Sequence, residues 1–505
     1  MFEIKLPSSR SRLSEELRNN IIVLLTFIIG FLMIAFCYYA SFLGIVNQVS
    51  LAIGTLIVSG IVVQRVKSLK GGYGLYMAGS KKGISTIDKM AQKNLSFWKS
   101  MPIWGIVLGF GLLSYPLLKG KIDKRIFLFG MVTIVLLLYL VLPCIGLSFQ
   151  FINIPEIQSA VSVASTSCSV GFGNLTTSGY FIYILTFISG FSGFILVSLF
   201  YNAALVFSNT INFALTSYSG HPNVSLLLNQ VPGVAPVIPG IDIPLVAGVI
   251  SLAIILTIHE LSHGVLARAA KVKIKSIGVL LFGVIPIGAY VEPNEKMVEK
   301  LSKQEQNQIS AAGISANFIA SIIFFALMFT MFVFVVPTIY VNNGVFIESV
   351  QPNLPANGTL HKGMQILYWD GHKIENITDI EAASANDVPG SIVSVVTNSG
   401  SYNIKAVAVN GSQKGLIGIS IIQKTSLVKT GYAKIMYFLY SLFGLSFILN
   451  FLVAIVNLLP IPGFDGWRLY QTNLKSPWLG RFIEGIVIIS LVLNAIPWLY
   501  IAILH

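Results

Sequence analysis

Nine stretches of this chain are apolar over lengths that approach or exceed the thickness of a bilayer. They lie near 21–46, 49–64, 101–118, 126–149, 180–207, 244–268, 311–339, 431–459 and 480–504. A helix rises about 1.5 Å per residue, so about 20 residues cross a hydrocarbon core of about 30 Å. The second stretch is short for a span and the third is at the low end. Inside lipid every backbone polar group needs a partner within the protein, and apolar runs of this length meet that need as helices. Soluble chains carry roughly 25% charged residues, whereas this one carries 10% and is 54% hydrophobic over 505 residues. The chain therefore reads as a polytopic α-helical membrane protein of about nine transmembrane helices, multi-pass in the cell membrane.

Charge then suggests orientation. Lys and Arg number 33 against 20 acidic residues, a net +13. The basic residues lie mostly in short loops between apolar runs, which points to a positive-inside bias and away from nucleic acid. The loop at 64–100 carries eight basic residues and one acid, Asp88. It reads as a solvated cytoplasmic loop, with contact to anionic lipid as a second reading. Counting alternately from a cytoplasmic N-terminus brings the sixth span from outside to inside, and the basic ARAAKVKIKS after it agrees. Lys119, Lys121, Lys124 and Arg125 run against that count, because they would lie outside. The polar first 20 residues, followed by a run without a small-residue cleavage site, read as a retained signal anchor.

Cys37, Cys144 and Cys168 are too few and too scattered for a disulfide framework or a thiolate metal site. Cys37 and Cys144 read as small core residues, and Cys168 has no evident partner.

The sixth run, IPLVAGVISLAIILTI over 243–258, ends directly on His259-Glu260-Leu261-Ser262-His263. An ionisable cluster in a membrane segment is costly and usually functional. Residues four apart share a helix face, so both imidazoles can bind one metal with Glu260 beside it. Two imidazoles do not complete a zinc site, which takes three protein ligands and an open position. Asp465, in NLLPIPGFDGWRLY over 457–470, is the best third ligand, because the same count puts it level with the histidines. Pro460, Pro462 and Gly463 must interrupt the helix there.

With these residues in view, the chain resembles the site-2 protease family of intramembrane zinc metalloproteases. That family pairs a His-Glu-x-x-His helix with a later Asn-x-x-Pro-x-x-x-x-Asp-Gly segment, matched here by Asn457, Pro460, Asp465 and Gly466. The resemblance implies Zn2+ on His259, His263 and Asp465, with Glu260 as general base. It further implies substrate contacts from Asn457, Gly288 and Asn317. VLLFGVIPIGAYVEP over 279–293 is similar to the family's re-entrant hairpin, and AAGISANFIAS over 311–321 is similar to its Gly-Pro-x-x-Asn-Phe helix start. Ile314 stands where proline is usual.

Between that helix and the Asp465 segment lies a soluble-looking insert near 342–424. It has strand-like GVFIESV, GSIVSVV and YNIKAVAV, and sequons at Asn357, Asn376 and Asn410. It resembles a small β-rich PDZ-like domain on the outer side, opposite the metal. The organisation expected is an N-terminal transmembrane region over 1–240 and a first catalytic part over 241–340. A PDZ-like domain over 341–425, a second catalytic part over 426–475 and a last helix over 476–505 follow.

The implied activity is a zinc endopeptidase that cleaves transmembrane segments of membrane-protein substrates, as in regulated intramembrane proteolysis. Its partners are the substrate helix and the lipid bilayer, with oligomeric state open. Two other classes compete. A membrane metal-ion transporter predicts further polar residues lining a path on several spans, and the run before His259 shows none. A non-catalytic scaffold binding partners through the insert would have no need of Glu260.

Overall fold

The computed structural model describes residues 9–118, 122–141, 144, 148, 150–152, 177–220, 223–228, 230, 233, 237–408, 414–474 and 476–504. Among the described residues nine helices are long and apolar enough to cross a membrane: Glu15–Tyr39, Asn47–Lys67, Leu95–Leu117, Lys124–Val141, Tyr180–Tyr218, Leu245–Ala269, Ala312–Phe334, Gly431–Val456 and Pro477–Pro497. The fold is thus a polytopic helical bundle with β-structure inserted. The chain divides into two compact units, residues 1–325 with 444–505 and residues 326–443.

The first unit opens with α1 (Ser9–Tyr39) and α2 (Ile45–Lys67). Arg65 and Lys67 occupy the last turn of α2, where cations suit the exposed carbonyls. The following loop is not simply solvated, contrary to the sequence expectation. Its residues form β1 (Gly71–Gly72), β2 (Leu75–Ser80) and α3 (Ile84–Gln92). Periodicity hid this because the apolar residues divide between a short strand and a short helix. Tyr76 and Ile87, each 2% exposed, bury one side of each element.

The chain continues through α4 (Leu95–Phe110), α5 (Lys124–Leu136) and α6 (Thr177–Tyr218), the last broken at Gly190. Every residue from Met101 to Phe110 in α4 is buried, so this helix is walled by protein rather than lipid. Cys144 is disulfide-bonded, which corrects its reading as a simple core residue, while Cys37 is a buried free thiol. Cys168 lies outside the described residues. A disulfide fits an oxidising compartment, whereas the alternating count assigns Cys144 to the cytoplasmic end of its span.

Helix α7 (Leu245–Ala269) carries the His-Glu-Leu-Ser-His residues, and β3 (Ile274–Phe282) and β4 (Ile285–Pro293) follow it as an antiparallel hairpin. These strands join the first two in a four-stranded sheet of order β1-β2-β3-β4, leaving β4 at an edge. Helix α8 (Lys303–Ser310) starts on a Ser302–Glu305 capping box and leads into α9 (Ala312–Phe334).

The second unit holds a six-stranded sheet. Its strands are β5 (Tyr340–Val350), β6 (Gln365–Trp369), β7 (His372–Lys373), β8 (Ile392–Thr397), β9 (Gly400–Lys405) and β10 (Ile419–Leu427). The order is β10-β5-β6-β8-β9 with β7 on β6, and every pairing is antiparallel. The period-two pattern of Ile392–Thr397 buries Val393 and Val395, which pack with Val345, Ile347, Leu360 and Ile366 in a dry core. Helix α10 (Ile377–Ala383) is capped by Asn376 through a box with Asp379. Asn357 is exposed, and Asn410 lies outside the described residues.

From there α11 (Gly431–Val456) leads back into the first unit, followed by α12 (Asp465–Asn473) and α13 (Pro477–Leu504).

Candidate metal centre

The ten residues from Asn457 to Gly466 explain how an aspartate reaches the histidines. Helix α11 ends at Val456, and two short turns follow, with Leu459 N–H donating to Val456 O at 3.0 Å and Phe464 N–H to Ile461 O at 3.0 Å. Pro460 and Pro462 forbid continuation of the helix. Gly466 N–H then donates to Asn457 O at 2.6 Å, closing the loop. A Cβ on Gly466 would collide with the Leu458 carbonyl, so only glycine allows this closure. Asp465 is thereby set at the first position of α12, where the helix dipole favours a carboxylate.

Closure brings three ligand atoms together. Asp465 Oδ2 lies 3.3 Å from His259 Nε2 and 3.2 Å from His263 Nε2, and the two imidazole nitrogens are 3.3 Å apart. The edge of a tetrahedron around an ion with bonds of about 2.0 Å is about 3.3 Å. All three separations match that edge. This is the one such His/Cys/Asp/Glu group among the described residues. Asp465 Oδ2 is buried and has no hydrogen-bond partner, as suits an oxygen reserved for a cation. The residues fit a tetrahedral divalent metal such as zinc, with one position left for solvent or substrate.

Neighbouring groups orient both imidazoles. His263 Nδ1–H donates to Ile309 O at 2.8 Å, which leaves Nε2 as a lone pair facing the centre. Asn317, on α9, has its amide nitrogen 3.1 Å from His259 Nδ1, and its amide oxygen has no partner. When His259 offers Nε2 to a metal its proton sits on Nδ1, and the amide oxygen is the acceptor that proton needs. Asn317 is fully buried. Its contact in the structure is thus with an imidazole. Gly313 stands at the glycine of the Gly-Pro-x-x-Asn-Phe resemblance, which assigned it no role. A Cβ there would lie within 2.5 Å of both rings, so the start of α9 can approach the histidines only as glycine.

Glu260 projects beside the centre toward the hairpin, and its Oε2 accepts Val291 N–H of β4 at 3.1 Å. Gly288 lies in the same strand, opposite Leu280. Added carbon there would make ordinary contact at 3.6 Å, so packing does not demand glycine at that position. Asn457 is not turned toward the ligand atoms by any hydrogen bond. Its Nδ2–H donates back to Val453 O at 3.0 Å, and its carbonyl anchors Gly466.

Polar side chains also lie buried on the helices that carry the site, α7, α9 and α11. Ser251 Oγ lies 3.0 Å from Ser446 Oγ, and Asn450 Nδ2–H donates to Ser446 O at 2.6 Å. Asn450 Oδ1 and Ser321 Oγ are buried without partners. The expectation of no polar groups in the run before His259 is thus corrected. These groups are hydroxyls and amides. A borderline-soft transition-metal ion binds imidazole, thiolate or carboxylate, so these groups suit water better than ion transit.

The geometry agrees with the comparisons. Residues 247–493 match the family model described as Peptidase family M50. A protein of Methanocaldococcus jannaschii, described as uncharacterized, is 28% identical over 249 residues, which cover 48% of this chain and 62% of that relative. The chain thus matches less than two thirds of the length of that relative. The matched segment runs from α7 to α13 and holds both metal-ligand elements, the hairpin and Gly313. That segment, just under half of the chain, is similar to Peptidase family M50, a family of metallopeptidases.

Proposed function

We propose that this chain is a zinc endopeptidase that cuts a transmembrane segment of another membrane protein, in the manner of regulated intramembrane proteolysis. The observation that carries the reading is the convergence of His259, His263 and Asp465 on one point, with the Glu260 carboxylate beside it. Zn2+ bound there would polarise the scissile carbonyl and make a water acidic enough to lose its proton near neutral pH. With Oε2 engaged by Val291 N–H, Glu260 keeps Oε1 to take that proton and later deliver it to the leaving amine.

A transmembrane helix satisfies its own carbonyls, so a substrate must unwind locally and find new backbone partners. The free edge of β4 supplies such partners within reach of Glu260. By the resemblance, the inserted sheet is PDZ-like and would take an extended peptide at an edge. Arg268, Lys271, Lys273 and Lys275 follow the metal-bearing end of α7, which supports a cytoplasmic orientation for that end.

The test is cleavage of candidate single-span substrates by the purified chain in proteoliposomes. Glu260→Gln is expected to lower the rate by about 10²–10⁴ while retaining zinc. Full activity of that variant, or activity indifferent to chelation, would overturn the reading.

A further inference from the structure

An open cleft with basic residues in its lining lies in the same unit, away from the ligand atoms. It has a volume of about 310 Å³ and is lined by residues that include Ser68, Lys70, Ser80, Lys81, Lys275 and Tyr290. That volume is at the small end of the range of ligand sites, about 300–1,000 Å³. The one carboxylate in the lining is Glu292. Its oxygens are already engaged, one by Ser276 Oγ–H at 2.9 Å and the other by Lys275 Nζ at 3.4 Å. The bond from Ser276, with the lysines nearby, holds the Glu292 carboxyl below its ordinary range, so it stays ionised. Lys70 and Lys81 have no carboxylate within 4.0 Å among the described residues. The lining thus carries three ammonium groups against one carboxylate, with the hydroxyls of Ser68, Ser80 and Tyr290 as further donors.

The cavity's place in the fold narrows the ligand further. Ser68 directly follows Lys67, the last residue of a candidate span, so the cavity lies where that span ends. Tyr73 and Leu75 in the adjoining turn and strand are 90% and 41% exposed, an apolar margin beside the cationic one. We infer that this cavity binds a phosphate ester, with its anionic oxygens on Lys70 and Lys81 and the hydroxyls completing the shell. The chemistry is shared by an anionic phospholipid headgroup and a free phosphate. Two cavity residues, Tyr290 and Glu292, flank Val291, whose N–H holds Glu260. A ligand here touches the strand that aims the proposed base.

The binding test uses the purified full chain in nanodiscs of phosphatidylcholine with or without phosphatidylglycerol. Lipid retained through detergent exchange is counted by native mass spectrometry, and inorganic phosphate is titrated separately. Phosphatidylglycerol is expected to be retained preferentially. Lys70→Gln with Lys81→Gln should weaken retention about 25-fold, from about fivefold for each lysine. The paired arginine substitutions should restore it, and zinc content serves as the check that each variant is folded. Saturable binding of inorganic phosphate without phosphatidylglycerol retention would assign the site to free phosphate esters. Equal retention by wild type and the glutamine pair, with no phosphate saturation, would overturn the inference. So would arginine variants that are folded, load zinc and yet bind neither probe. These readouts are independent of peptide cleavage.

Discussion

The metal centre and the inserted sheet are held together by different forces. The sheet's core is apolar and dry, built from Val345, Ile347, Leu360, Ile366, Val393 and Val395 on alternating strand positions. Such a core tolerates exchange of one hydrophobe for another of similar volume. The metal centre is positioned by close contacts of another kind. Gly466 N–H meets Asn457 O, Ile309 O meets the His263 imidazole, the Asn317 amide meets His259, and Gly313 lies against both rings. In a bundle whose surroundings are as apolar as its interior, burial of hydrocarbon discriminates little between arrangements. Small residues and short polar contacts then set the register.

Substitution can break this contrast at its strongest point. Gly466→Ala places carbon against the Leu458 carbonyl and displaces Asp465, so zinc affinity should fall by about 100-fold or more. Metal titration with a competing chelator measures this, and unchanged affinity would remove the closure argument. Asn317→Ala leaves the fold and the three ligands but frees the His259 ring. The expected loss is about 10–100-fold in zinc affinity, with partial recovery in Asn317→Gln or Asn317→Asp. A truncation that left affinity unchanged would return Asn317 to a packing role.

The insert should answer differently. Ile366→Ala empties part of the sheet core and should destabilise that unit by about 2–5 kcal/mol. Hydrogen exchange of β5, β6 and β8 in the full chain reads this, while zinc content is expected to hold. Coupled loss of both would end the distinction between the two units. The smallest effect concerns Asp387, whose carboxyl accepts Trp369 Nε1–H at 3.1 Å. Burial raises its pKa above the ordinary value. The folded state therefore holds the proton more tightly, and stability falls as pH rises from below about 4 through the raised value. Asp387→Asn keeps the acceptor and should flatten this dependence, with a change of about 1 kcal/mol or less at neutral pH. Denaturation of the insert followed from pH 3 to pH 7 distinguishes the two curves.

Much of the candidate site was legible because its chemistry is written in local spacing. Four residues on a helix place His259 beside His263 whatever surrounds them, and an apolar run of spanning length can adopt few other forms in lipid. Asp465 was legible through the topology count that set it level with the histidines and through the Asn457–Gly466 resemblance, whereas the loop closure that delivers it was not. Gly313 was legible only as the glycine of a family motif, and its physical constraint, two rings arriving from another helix, was not. The strand at 75–80 was equally silent, since its partner β3 lies about two hundred residues later in the chain.

The sequence by itself determined the membrane class, the helix that carries the two imidazoles and the base, and the aspartate able to complete the set. Each follows from period, composition, the topology count or the family motif. Only the tertiary structure decided that Asn317 serves an imidazole and that the basic loop joins the hairpin as a sheet. It alone showed that three ligand atoms meet at tetrahedral spacing. Those outcomes depend on long-range packing, where one glycine, one amide or one carbonyl chooses among arrangements that hydrophobicity leaves nearly equal.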